Sequence, residues 1–187
     1  MPNPLNFVHS GASTALPPLL ICSDLQKGLF FGQNGRTPET SLLRRCEVLL
    51  EAWRKKPWPV AHLKRIASPA WFDPNSENAE WIDDFKPCPG ELAFEHALPS
   101  AYSSARFVEY MRGVLPAKSI LVGCSLEETI LSTAVEGYHR GYHHQVVADA
   151  VVCKSADGTA YYRDTILQLL GTYSARSSVD AVLGIAC

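Results

Sequence analysis

The 187-residue chain contains nothing close to the roughly 20 consecutive apolar residues of a membrane-spanning helix; runs such as Leu19–Cys22 and Ile120–Val122 are far shorter. Its first residues lack the basic-then-apolar layout of a secretory signal, so a cytoplasmic location is expected. Neither sign of charge is in excess. The formal net charge of -2 removes the electrostatic argument for nucleic acid or a membrane surface and leaves small molecules as the expected partners. The six cysteines, at 22, 46, 88, 124, 153 and 187, form no C-x-x-C pair and no zinc spacing with histidine. Reduced thiols are therefore expected, with no metal and no cofactor. There is no internal repeat and no low-complexity tract.

What is present is the composition of one soluble globular domain, 47% hydrophobic and 19% charged. Residues 1–17, proline-rich and without periodicity, read as a surface arm, and 18–187 as the domain. Short apolar runs alternate with helical patterns. Strands are expected at 18–24, 58–63, 91–96, 118–124, 145–151 and 173–177. Helices are expected around Leu42–Trp53, Phe107–Val114, Leu126–Arg140 and Thr159–Leu170. This order implies an α/β/α three-layer sandwich around a mainly parallel, Rossmann-like sheet of about six strands. Gln26–Pro38 is rich in turn formers. Residues 66–90 read as a long packed loop over a site, with Trp71, Phe72, Trp81 and Phe85 either walling a pocket or anchoring the loop.

The segment Ile120–Thr133, ILVGCSLEETILST, runs from an apolar strand through one glycine into an amphipathic helix. Ligands of open α/β sheets gather at such strand ends, beside helix N-termini. Ser125 and Glu128 fit the S-x-x-E capping box, which predicts that the Ser125 side chain fixes the helix start. Asp24 closes the first strand in the same way.

Four segments, LLICSDLQKGLF, ELAFEHALPSAY, LVGCSLEETILSTA and RGYHHQVVADAV, in this order and spacing resemble the isochorismatase-like hydrolases, a group that includes nicotinamidases and N-carbamoylsarcosine amidases. The resemblance implies a parallel sheet flanked by helices and assembly as a homodimer or larger homo-oligomer. Amidases of the group use Asp, Lys and Cys. Asp24 matches the aspartate, His96 stands where the lysine is expected, and Thr129 where the cysteine is expected. The resemblance further implies a cis peptide at Cys124–Ser125, an oxyanion hole from the N–H groups of Ser125 and Thr129, and a substrate pocket touched by Gln26, Tyr102, Cys124, Trp71 and Trp81. The D-x-H metal element of nicotinamidases has no counterpart, since Asp73 is followed by Pro74 and Asn75.

A threonine hydroxyl is far less acidic than a thiol, so the thiol mechanism is excluded. Three readings stand. The first is a hydrolase with Asp24 as acid/base, His96 assisting and no cysteine nucleophile, as in isochorismatases, which lack the cysteine and are thought to protonate a vinyl ether from the aspartate. The second is an Asp–His–Thr hydrolase with Thr129 as nucleophile. The third is a non-catalytic descendant that binds a small molecule. Elsewhere, His139, His143 and His144 cluster around Gly141 and read as surface groups at a helix end. His62 reads as a hydrogen-bonded strand histidine, and Asp149 as an acceptor for backbone N–H groups.

Overall fold

The computed structural model describes residues 16–30, 40–67, 72–114, 118–153 and 160–186. Six parallel strands form its centre: β1 (Leu19–Ser23), β2 (Val60–Arg65), β3 (Leu92–His96), β4 (Ser119–Cys124), β5 (His144–Val152) and β6 (Ala175–Ser177). They lie in the order β3-β2-β1-β4-β5-β6. Every residue of β1 and β4 is buried, which is why both read as unbroken apolar runs. The chain builds outward from β1 to β3 and then returns to place β4 on the other side of β1. The order therefore reverses between β1 and β4, and the crevice at their carboxyl ends is where such sheets bind ligands.

Helices cover both faces: α1 (Lys27–Phe30, one turn), α2 (Thr40–Lys55), α3 (Ala105–Val114), α4 (Leu131–His139), α5 (Ala160–Leu170) and α6 (Val179–Ala186). Alternate strand residues feed the two layers. Leu20, Cys22, Val60, Ile120 and Val122 pack with Cys46, Leu49, Leu50 and Trp53 of α2 and Val182 of α6. Leu19, Ile21, Leu63 and Leu121 pack with Phe107 and Met111 of α3, Ala134 of α4 and Leu170 of α5. The three-layer sandwich expected from the sequence is the observed architecture.

Three elements differ from expectation. Residues 66–90 are not featureless: Ala67 pairs with Phe72, and 3-10 turns form at Glu77–Ala79 and Asp83–Phe85. Phe72, Ile82 and Phe85 are buried, so these side chains anchor the segment to the core. Trp71 lies outside the described residues, as do residues 1–15 of the expected arm. The last strand starts later than expected, at Ala175, because Tyr173 and Ser174 donate N–H bonds to Leu170 O and close α5. Helix α6 carries no sequence signal long enough to expect it. Its start is held from outside, by Val179 N donating to Asp149 Oδ1 at 2.9 Å.

Candidate functional site

The carboxyl edge of the sheet brings three side chains together. Asp24, one residue past β1, has a left-handed backbone (φ 49°), a conformation aspartate tolerates better than most residues. Its N–H donates to Leu63 O of β2 at 3.0 Å, which fixes the carboxyl group between β2 and β4. His96 is the last residue of β3, and its Nε2 lies 2.7 Å from Asp24 Oδ1. Thr129 donates its hydroxyl to Asp24 Oδ2 at 2.6 Å. All three residues are at most 2% exposed. Asp24 is the middle of this chain, and both imidazole nitrogens of His96 are occupied, the second by Leu98 O at 2.7 Å.

The protons follow from the acceptors. A carbonyl only accepts, so His96 Nδ1 carries a hydrogen for Leu98. The Nε2 to Asp24 contact needs one more hydrogen, which rests on either the imidazole or the carboxyl group. In either case the pair is neutral overall and holds one labile proton between two heavy atoms. Burial by itself lowers the imidazole pKa, but the Asp24 hydrogen bond and charge, with Leu98 O, outweigh it and hold it above its usual value.

The strand-to-helix turn after β4 is unusual. Gly123 has φ 110°, and a Cβ there would lie 2.2 Å from Ser23 O, so only glycine lets β1 and β4 approach this closely. Ser23 Oγ then donates to Cys124 O at 3.0 Å, and Cys124–Ser125 is a cis peptide. The expected capping box does not form. Ile130 N donates five residues back to Ser125 O, giving a π-helical turn over Leu126–Ile130, and the Ser125 hydroxyl, buried, has no partner among the described residues. Glu128 turns instead to Arg65, 2.9 Å from its Nη1. The wider turn sets the direction in which Thr129 leaves the helix.

The other expected pocket residues are placed differently. Gln26 is buried, with Nε2 donating to Arg65 O (2.9 Å) and Ala79 O (3.0 Å) and Oε1 accepting from Arg65 N (2.7 Å). Its amide ties the end of β2 to the 77–79 turn. Cys124 is fully buried, its side chain in the α2-facing core. Trp81 pairs through its backbone with Gln26 and sets its ring edge-on to His62 at 5.7 Å. Tyr102 points away from Asp24: its hydroxyl lies 2.9 Å from Nε2 of His144, the first residue of β5, at the opposite edge of the sheet.

His144 overturns its surface reading. It is fully buried, and its Nδ1 lies 2.7 Å from Ser119 Oγ. Burial, with His143 nearby, pushes its pKa down to about 4, so it is a neutral core group. The sequence suggested a helix-end histidine because Gly141 adjoins it; only tertiary pairing with Tyr102 decides otherwise. His139 and His143 are exposed, as expected. His62, buried and held below its usual pKa by burial, hydrogen-bonds Glu91 at 2.8 Å. Burial opposes ionisation of Glu91, yet Arg54, the Cys88 N–H and His62 draw it down to about 2. Arg65 went unnoticed in the sequence, its only signal being a cation at a strand's carboxyl end. Among the described residues no group of three potential ligands could hold a metal ion, and no helix is long and apolar enough to cross a membrane.

Residues 18–172 match the model of the isochorismatase domain. The chain belongs to that family. Among solved structures, the isochorismatase domain is similar to an isochorismatase-like hydrolase from Alkaliphilus metalliredigens, with 14% identity, 91% of this chain and 98% of that one covered, and a TM-score of 0.79. It is also similar to a cysteine hydrolase from Pseudomonas syringae pv. phaseolicola, with 15% identity, 92% and 93% covered, and a TM-score of 0.79. The N-carbamoylsarcosine amidase from Thermoplasma acidophilum shares 20% identity over 88% of this chain and 98% of that one, with a TM-score of 0.72. At these identities the likeness concerns the fold. No curated protein matches the sequence. In the isochorismatase domain of this chain, an aspartate–histidine pair and a threonine stand where relatives with a thiol mechanism would hold Asp, Lys and Cys.

Proposed function

We propose that this isochorismatase domain hydrolyses a small molecule by acid/base catalysis from Asp24, without a covalent intermediate. The observation that carries this reading is the buried His96–Asp24–Thr129 chain with its one labile proton. Asp24, sharing the labile proton with the His96 imidazole, delivers it to the substrate, the Thr129 hydroxyl that donates to Asp24 stabilises the carboxylate left behind, and water adds to the activated centre. A proton released by the water returns to the Asp24–His96 pair and restores it. Thr129 orients the carboxyl group, and the N–H groups of Ser125 and Thr129 are assigned to stabilise negative charge developing on the substrate.

The order of contacts argues against Thr129 as nucleophile. In a serine-type triad histidine stands between acid and hydroxyl, whereas here the carboxyl group does, and His96 has no nitrogen left for Thr129. A carboxylate is a poor base for an alcohol, so direct abstraction by Asp24 is unfavourable. One observation favours the non-catalytic reading: the three side chains satisfy one another and are buried.

A panel of vinyl ethers, esters and amides separates these readings. Turnover of one class, reduced about 100-fold or more by Asp24→Asn and less than about tenfold by Thr129→Ala, is the expected result. Loss of all activity in Thr129→Ala, together with an acyl-enzyme trapped in the wild-type protein and absent from the variant, would establish the triad instead. Saturable binding without any product would establish the non-catalytic reading.

A further inference from the structure

The Arg65–Glu128 ion pair joins the end of β2 to the turn that follows β4. Arg65 ends β2 and is the register partner of His96 on β3. Strand alternation puts it on the same face of the sheet as Ala61 and Leu63, the face that α4 covers. Glu128 precedes Thr129 in the turn after β4. Since β1 lies between β2 and β4, the pair crosses the carboxyl end of β1, where Asp24 stands.

The backbone of Arg65 is held unusually firmly for a strand end. Both its N–H and its carbonyl bond to the single buried amide of Gln26, at 2.7 and 2.9 Å. The guanidinium is near enough to the His96 imidazole to oppose its protonation. It is only 16% exposed, yet one of its N–H donors is engaged, and Glu128 is the only side chain bonded to it among the described residues. Glu128, at 39%, is the more exposed partner and the more easily turned to solvent.

We propose that Arg65 is a specificity-determining residue that takes a carboxylate of the substrate in exchange for that of Glu128, so that the substrates are small carboxylates. This rests on the reading that the reaction occurs at Asp24. Glu128 is an internal template: it shows that a carboxylate fits the guanidinium at 2.9 Å. The planar guanidinium prefers a carboxylate to a neutral amide of the same shape, because both oxygens can accept and the charge is balanced. While no substrate is bound, Glu128 neutralises Arg65.

Benzoate and benzamide, matched in shape and different in charge, test this by calorimetric titration. The wild-type protein is expected to bind benzoate about tenfold or more tightly than benzamide. Arg65→Gln should abolish that preference. Glu128→Gln, which removes the competing carboxylate, should strengthen benzoate binding several-fold while leaving benzamide unchanged. Equal affinity for the two ligands, failure of benzoate to bind both wild type and Glu128→Gln, or a preference that survives Arg65→Gln would overturn the proposal. If Arg65→Gln does not fold, the Glu128→Gln comparison alone decides. The acid role of Asp24 is read by turnover and the anchor by binding without turnover, so the two fail separately.

Discussion

Two buried histidines sit at opposite edges of one sheet and take opposite electrostatic roles. At the carboxyl edge, His96 meets a carboxyl group and a carbonyl, both of which favour its protonated form. At the amino edge, His144 meets the hydroxyls of Tyr102 and Ser119, which serve equally well as donors or acceptors and impose no charge. Burial is alike in the two places. The partners therefore decide which imidazole can take part in proton transfer and which belongs to the core. A like contrast exists between two glycines: Gly123 makes room for backbone, and Gly137 makes room for the His144 ring.

The largest effect is expected from testing that second contrast. At Gly123 an added methyl group meets the Ser23 carbonyl oxygen at 2.2 Å with φ at 110°, and neither strand can yield. Gly123→Ala should cost about 4 kcal/mol or more in urea denaturation. At Gly137 the obstacle is the His144 ring at 2.5 Å, which can tilt, so Gly137→Ala should cost nearer about 2 kcal/mol. Equal losses would show that the two edges are equally rigid.

Next in size is the removal of the carboxyl partner. Asp24→Ala leaves His96 buried without its acceptor and should cost about 3 kcal/mol at pH 6. A pKa raised on folding stabilises fully below the ordinary imidazole value and loses its contribution as pH rises through the folded-state value. The gap between wild type and variant should therefore narrow at pH 9. A gap of the same size at both pH values would mean that the pair is held by packing rather than by charge.

His144 should give the smallest effect, and with the opposite sign. Its folded-state pKa of about 4 lies below the unfolded value, so stability is complete above about pH 6.5 and falls as the unfolded chain takes up a proton. Between pH 7 and pH 5 the loss attributable to this residue is about 2 kcal/mol. His144→Gln should flatten that part of the stability profile. An unchanged slope would place the acid sensitivity elsewhere.

Much of this arrangement was legible before any coordinates. The strands could be read because burial on both faces requires unbroken apolar runs, and Asp24 because it ends such a run, whereas His96 and Thr129 were marked by the family resemblance. The order of their contacts was not legible, since nothing in the spacing says that the carboxyl group stands between the other two. Glu128 misled for a physical reason. A glutamate three residues after a serine suits a capping box, yet the π-helical turn carries it towards Arg65 on another strand. Helix α6 was missed because two turns beside a three-residue edge strand give too short a pattern, and its anchoring acceptor, Asp149, is thirty positions away.

The Gln26 amide sets limits on how this protein can change. One side chain clasps the end of β2 and the 77–79 turn, and Glu91 fastens the far end of the same excursion to α2 through Arg54, so polar moorings at both ends add to the buried anchors Phe72, Ile82 and Phe85. Protein engineers who wish to admit other guests have the short arcs around Asp73–Asn75 and Pro87–Gly90 in which to insert or delete residues. Lengthening the chain at either mooring would instead slacken the backbone that aims Arg65.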